Sequence, residues 1–73
     1  MKTDKKSIFF CITCIFDFAQ KYSLTIKDAY NYLKKYTGIQ YLLENYEIEH
    51  TLSKNDTLEA LSRLTQKNGG YLN

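Results

Sequence analysis

The feature of this sequence that most limits its fold is a nearly unbroken apolar segment from Ile8 to Phe16. Apolar side chains recur there and beyond at helical spacing, which predicts a first helix from about Asp4 to Tyr22. Further apolar residues widen the face well beyond a simple stripe, and such a helix must be buried on more than one side. We therefore expect it to be the central helix, covered by the other helices or in part by a partner. The side chains expected to face inward are Ile8, Ile12, Ile15, Phe16, Ala19 and Tyr22, and those that widen the face are Phe9, Cys11, Cys14 and Phe18.

The rest of the composition favours helices throughout. The 73 residues include no proline and only three glycines, so little interrupts a helix. Hydrophobic residues make up 44% of the chain and aromatic residues 15%, which argues against a disordered segment. A chain of this length forms one domain at most. We expect an all-α fold, a small bundle of three main helices plus one short helix, with its core at about residues 5–68 and a frayed tail at 69–73.

Two similar patterns predict where later helices begin. Thr25 followed by Asp28, and Ser53 followed by Asp56, each resemble a capping box in which the first side chain accepts a backbone N–H. They predict the starts of the second and fourth helices, and the fourth should end near Lys67.

The segment between these helices is predicted from shorter signals. Gly38 is expected to end the second helix in a left-handed conformation. A short third helix follows from Ile39 to Tyr46, where apolar residues again have helical spacing. Residues 47–52 alternate polar and apolar, which favours an extended linker.

The start of the chain imitates a signal peptide, because lysines precede the apolar segment. The segment is nine residues long, far below the roughly 20 that a membrane-spanning helix needs. Asp17 follows it at once, without the small residues of a cleavage site. We expect a cytoplasmic protein with reduced thiols.

Cys11-x-x-Cys14 and His50, the one histidine, are the candidates for metal or redox chemistry. A structural zinc site needs four ligands, and this chain offers too few without an oligomer. Thiols in the middle of an apolar helix are buried and poorly reactive, so we expect core packing. No set of nucleophile, base and orienting group converges, which predicts no enzyme activity, no cofactor and no metal. A thiol or metal sensor using Cys11 and Cys14 is an alternative.

A helix–glycine–helix arrangement over residues 26–46 superficially resembles a DNA-binding motif. A helix that reads DNA brings basic or amide side chains to bases and phosphates. Residues 39–46 contain no basic side chain, and the net charge of the chain is only +2. Nucleic acid is therefore a less favoured partner, and a small nucleic-acid-associated regulator using Lys27, Lys34 and Lys35 remains an alternative.

Seven tyrosines are more than a core of this size can use. By spacing, Tyr30 and Tyr46 are expected inside, whereas Tyr32 and Tyr41 fall off the buried faces. Tyrosine is enriched at protein interfaces, although single exposed aromatics are also common. For the single histidine, a structural hydrogen-bonding role competes with a contact role. The predicted partner-binding residues are Tyr32, Tyr41, Tyr46 and His50.

Three segments of the chain carry a resemblance to a known family: Phe18-Ala19-x-x-Tyr22, Ile26-x-x-Ala29-x-x-x-Leu33-x-x-Tyr36 and Tyr41-Leu42-x-x-x-Tyr46-x-x-x-His50-Thr51. Through them, and over about residues 5–68, the chain resembles a family of short bacterial helical proteins catalogued as a domain of unknown function. The resemblance implies a leucine immediately before the histidine, where this sequence has Glu49. Members are often encoded beside a larger protein that resembles an ADP-ribosyltransferase toxin, which implies an antitoxin-like or accessory subunit.

The expected function is that of a non-catalytic protein-binding module. Aromatic residues of the second and third helices would cover a functional surface of the partner. That partner is another protein, such as the toxin-like neighbour, or a second copy that covers the first helix in a homodimer.

Overall fold

The computed structural model describes residues 5–71, and its regular structure consists of α-helices. The absence of strands over these residues confirms the predicted all-α class. The predicted first residue of the first helix, Asp4, lies outside the described part. No helix in residues 5–71 is long and apolar enough to cross a membrane. The helices are α1 Lys5–Lys21, α2 Ile26–Lys35, α3 Gly38–Glu44, α4 Tyr46–Glu49 and α5 Lys54–Lys67.

Both predicted helix starts are confirmed by their capping hydrogen bonds. The Thr25 hydroxyl oxygen accepts from the Asp28 N–H at 3.0 Å, and the Ser53 hydroxyl oxygen accepts from the Asp56 N–H at 3.1 Å. Each bond satisfies one backbone donor that a helix leaves unpaired in its first turn. The fourth predicted helix, now α5, ends at Lys67 as expected.

Helix α1 is the central element, as predicted, because it packs against α2, α3 and α5. The rotation of α1 differs from the prediction: Ile8, Ile12 and Phe16, which were expected inside, are exposed. Ile15 and Ala19 are buried as predicted, and the other helices also cover Cys11, Cys14 and Phe18, which were expected only to widen the apolar face. Apolar residues surround most of α1, so spacing alone could not decide which row is buried. The buried residues of α1 are Ser7, Cys11, Cys14, Ile15, Phe18 and Ala19.

The connection from α2 to α3 corrects the prediction for Gly38. The left-handed residue is Thr37, with φ at 67°, and Gly38 is the first residue of α3. The missing side chain serves close packing there, since a Cβ on Gly38 would lie 2.8 Å from Leu33 Cδ2. Asn68 holds the strained turn by donating to the Tyr36 carbonyl at 3.2 Å and to the Thr37 hydroxyl at 2.7 Å.

The predicted extended linker over residues 47–52 is wrong, because its first half is helical. Helix α4 runs from Tyr46 to Glu49, and the Glu49 N–H donates to the Asn45 carbonyl at 2.8 Å. The prediction failed because the burial of these residues is the opposite of what their polarity suggests: Glu49 is buried, whereas Ile48 is 64% exposed. Turns at residues 50–52 then lead to α5.

The end of α5 is held by Gly70, whose N–H donates to the Thr65 carbonyl at 2.8 Å. The ring of Tyr32 covers this glycine, so that a Cβ on Gly70 would collide with the Tyr32 hydroxyl. Tyr71 beyond it is exposed, and residues 72–73 of the predicted frayed tail lie outside the described part.

Candidate functional site

Helix α1 carries a stripe of uncovered apolar side chains beside its buried row. Ile8, Ile12 and Phe16 succeed one another at intervals of four residues, which places them one above the next on a helix. Phe9 lies alongside, and it is 67% exposed while Phe16 is 52% exposed. The stripe extends over about half of the 17 residues of α1.

Helix α2 adds two exposed apolar residues, Ile26 and Tyr30, again four residues apart. The two helices are joined by a short connection at residues 22–25 and pack against each other, so we infer that they run in opposite directions. In an antiparallel pair, residues displaced by the same angle around each helix axis from the line of contact lie on the same side of the pair. The opposite side confirms this geometry, since Phe18 and Tyr32 stack there with ring centroids 5.8 Å apart. The exposed rows therefore form one continuous surface.

We call this surface the α1–α2 face. Its area is roughly 600 Å², taking about half of each large side chain as exposed, which lies at the upper end for the largest apolar patch on a monomer. Patches of that size are often functional. The residues of the α1–α2 face are Ile8, Phe9, Ile12, Phe16, Ile26 and Tyr30.

Three lysines border the α1–α2 face. Lys5 precedes Phe9 by one turn, while Lys27 and Lys34 precede and follow Tyr30 by one turn. The Lys34 ammonium lies 5.9 Å from the centroid of the Tyr30 ring, a cation–π distance. The border of the α1–α2 face is therefore basic, and the Lys34 ammonium lies against the Tyr30 ring of the face.

The carboxylates described on these two helices lie away from that face. Asp17 lies on the side of α1 that contacts α5, where Lys54 is 3.5 Å from its carboxylate. Asp28 lies in the first turn of α2, where a negative charge suits the helix dipole, and its helical position faces the side of Phe18. No described carboxylate of α1 or α2 thus neutralises the lysines of the face.

Two predicted partner-binding tyrosines have structural roles inside the molecule. Tyr32 is half-buried, donates to the Thr65 hydroxyl at 3.1 Å and packs against the rings of Phe18 and Tyr36. Tyr41 is also half-buried and donates to a carboxylate oxygen of Glu49. The prediction that both fall off the buried faces is therefore wrong.

The other two predicted contacts, Tyr46 and His50, lie together near the surface. Their rings stack with centroids 4.5 Å apart, and the Nδ1 of His50 is 2.7 Å from the Tyr46 carbonyl oxygen. Phe10 packs edge-on against Tyr46 at 5.5 Å. The imidazole thus has an internal hydrogen-bond partner, and the binding role of these residues stays a prediction. Tyr30, expected inside, is exposed on the α1–α2 face instead.

The two thiols lie in the core, as expected from their place on α1. Burial raises the pKa of Cys11, and burial followed by the charges of Cys11, Asp17 and Glu49 raises the pKa of Cys14 to about 12. Both thiols are therefore protonated and weakly nucleophilic at neutral pH. In residues 5–71, no three His, Cys, Asp or Glu side chains are grouped to hold a metal ion.

A depression between α1 and α5 has a volume of about 200 Å³. Cys14 and Thr57 contribute to it beside apolar side chains such as Leu52. That volume is smaller than the roughly 300–1,000 Å³ of typical small-molecule sites. The α1–α2 face is the larger and more distinctive surface.

The fold and this face define a small all-α domain with an uncovered, lysine-bordered apolar surface. The chain belongs to the family described as "Protein of unknown function (DUF3791)", whose model matches residues 9–68. This match confirms the predicted resemblance to a family of unknown function. No curated protein and no solved structure gives a significant match.

Proposed function

We propose that this chain is a non-catalytic protein-binding module that contacts its partner through the α1–α2 face. The observation that carries the proposal is an exposed apolar row on each of two packed helices, with Phe9 and Phe16 more than half exposed. Covering the face removes roughly 600 Å² of mainly apolar surface from water, which favours association.

The face is not needed to complete the core of the monomer. Phe18, Leu33, Leu42 and Leu61 are fully buried without it. Phe9 and Phe16, each more than half exposed, could be replaced by polar side chains at a small cost to folding, since the outer side of a helix is usually polar. Their apolar character is therefore better explained by a contact outside the monomer.

The mechanism we propose is occlusion, in which the bound chain covers a functional surface of its partner. The resemblance described above extends the proposal to a larger protein that resembles an ADP-ribosyltransferase toxin. The chain would then act as its antitoxin-like or accessory subunit in the cytoplasm. The surface differs from the one predicted from sequence, because Tyr32 and Tyr41 use their hydroxyls for internal hydrogen bonds.

Site-specific photo-crosslinking in the native cell tests the proposal. A photoreactive phenylalanine analogue at position 16 should crosslink to one protein in stoichiometric amounts. The same analogue at Glu59, an exposed position of α5, serves as the control and should give no such product. An Ile12→Glu substitution in the chain labelled at position 16 should abolish the product, because it places a charge in the middle of the face.

Two outcomes would contradict the proposal. One is the absence of a protein crosslink from position 16. The other is a product of equal yield from positions 16 and 59 that persists with Ile12→Glu, which would indicate unspecific contact. For the toxin-like partner, co-expression should relieve growth inhibition with the unsubstituted chain and fail to do so with Ile12→Glu.

A further inference from the structure

We infer that the element of the partner that occupies the α1–α2 face is an amphipathic α-helix whose apolar stripe is flanked by acidic side chains. This inference rests on the proposed function and adds the chemistry of the partner. It follows from the shape of the face and from the charges at its border.

The shape fits a helix. The face spans two antiparallel helices with an exposed apolar row on each, and a third helix packs into such a surface through its own apolar row. The row on α1 runs from Ile8 to Phe16, which corresponds to about 12 Å along the helix. A partner helix of about 16 residues, about 24 Å long, would cover this row and extend beyond it at both ends.

The border supplies the charge preference. Lys27 and Lys34 are seven residues apart on α2, so they lie two turns apart, about 10 Å, on the same side of the helix. Carboxylates seven residues apart on a helix that lies alongside have the same spacing. Lys34 is already held over the ring of Tyr30, which reduces the side-chain entropy lost when an acidic group binds.

A second copy of this chain is a poorer occupant. In a two-fold symmetric dimer the same face meets itself, so the lysine borders would meet without carboxylates of α1 or α2 between them.

An anionic lipid surface is also a poorer occupant. Recognition of such membranes typically uses clusters of about 4–8 basic residues, whereas three lysines border this face. The regular spacing of Lys27 and Lys34 along α2 instead matches carboxylates that repeat at a fixed interval on a partner helix.

Synthetic helical peptides of about 16 residues test the inference with the full-length protein. Three peptides share one leucine stripe and are matched for helical content, with flanking residues that are all Glu, all Gln or all Lys. At low ionic strength the Glu peptide should bind about tenfold more tightly than the Gln peptide, and the Lys peptide more weakly than either. The preference should shrink as salt is added, because the lysines at the border are exposed.

Variants locate the binding. Phe16→Glu should weaken binding of the Glu peptide by at least about tenfold, since the charge disrupts the apolar contact. Lys27→Glu combined with Lys34→Glu should reverse the preference toward the Lys peptide without touching the apolar row. Lys67→Glu, a charge reversal in the last turn of α5, is the control and should leave the preference unchanged.

Three outcomes would overturn the inference. The first is equal binding of the three peptides. The second is binding to phosphatidylglycerol vesicles that depends on Phe16 while no peptide binds. The third is a Phe16-dependent dimer, seen by sedimentation, that no peptide displaces.

The failure of this inference is distinguishable from that of the proposed function. If position 16 crosslinks a protein but the peptides show no acidic preference, only the acidic helix is wrong. If position 16 crosslinks nothing and no peptide binds, both are wrong.

Discussion

The hydroxyl of Tyr41 donates a 2.5 Å hydrogen bond to Oε2 of Glu49, and this carboxylate is 4% exposed. The other oxygen of the carboxylate, Oε1, is buried and has no hydrogen-bond partner among residues 5–71. A buried polar atom without a partner costs free energy on folding. Glu49 stands where the family resemblance implies leucine, so this chain has a polar pair where an apolar contact was expected.

The first prediction concerns this pair. Tyr41→Phe should lower the free energy of unfolding by about 1–3 kcal/mol, because it removes the one hydrogen bond shown for the buried carboxylate. Glu49→Leu should cost less or stabilise, since it removes the buried carboxyl group and introduces an apolar side chain. Urea denaturation of the two single variants measures both effects.

The double variant is the control for this prediction. Tyr41→Phe combined with Glu49→Leu should be more stable than Tyr41→Phe alone, because no carboxylate then lacks its donor. A neutral Tyr41→Phe together with a strongly destabilising Glu49→Leu would contradict the account of this pair.

The second prediction is a loss of stability in alkaline solution. Burial, with nearby negative charges, raises the pKa of Cys14 from 9.0 to about 12. The hydrogen bond to Glu49, with burial, raises the pKa of Tyr41 from 10.0 to about 12. The folded state therefore holds both protons more tightly than the unfolded state. Their contribution to stability is complete below pH 9 and is lost as the pH rises toward 12.

Urea denaturation over this pH range separates the two groups. Cys14→Val should reduce the loss that begins near pH 9, to which Cys11 also contributes, and Tyr41→Phe should remove the part that begins near pH 10. Stability curves that fall equally with pH in the parent chain and in both variants would show that neither group is responsible.

The third prediction concerns thiol reactivity and the alternative of a thiol sensor. Cys11 and Cys14 are buried, and their raised pKa values leave little thiolate at neutral pH. Carbamidomethylation by iodoacetamide should therefore be at least about 100-fold slower in the native protein than in urea. Rapid labelling of either thiol in the folded chain would favour the sensor instead.

The fourth prediction tests the structural role of Tyr32. A Cβ on Gly70 would lie 2.8 Å from the Thr65 carbonyl oxygen and would collide with the Tyr32 hydroxyl. Gly70→Ala should therefore lower the free energy of unfolding by about 1–3 kcal/mol. In a Tyr32→Phe background the same change should cost less, because part of the collision is gone. Equal costs in the two backgrounds would indicate that Tyr32 does not pack against Gly70 as described.

The sequence predicted the features that depend on local chemistry. Thr25 and Ser53 cap helices because a hydroxyl at that position reaches a backbone N–H three residues on, whatever the tertiary packing. The all-α class followed from helical spacing and the lack of proline. The prediction that α1 has more apolar surface than the other helices cover agrees with the exposure of Phe9 and Phe16.

The features that the sequence could not predict depend on tertiary contacts. Two adjacent rows of α1 are apolar, and only the packed helices determine that Cys14 and Phe18 are buried while Ile12 and Phe16 are exposed. The extended linker was predicted from an apolar Ile48 and a polar Glu49, whose burial is the reverse of their polarity.

The signal that could have indicated the candidate site was the interval of four residues shared by Ile8, Ile12 and Phe16 on α1 and by Ile26 and Tyr30 on α2. The structure was needed to show which of these residues are exposed in the folded chain.

The most direct test of the central claim is a paired measurement on Phe16→Glu: affinity for the partner crosslinked at position 16, and free energy of unfolding. Tyr71→Glu, another exposed aromatic outside the α1–α2 face, is the matched control. We predict that Phe16→Glu weakens binding at least about tenfold while changing stability by less than about 0.5 kcal/mol, and that Tyr71→Glu changes neither. Unchanged affinity of Phe16→Glu, or a loss of stability of about 2 kcal/mol or more, would contradict the claim that this face serves binding rather than folding.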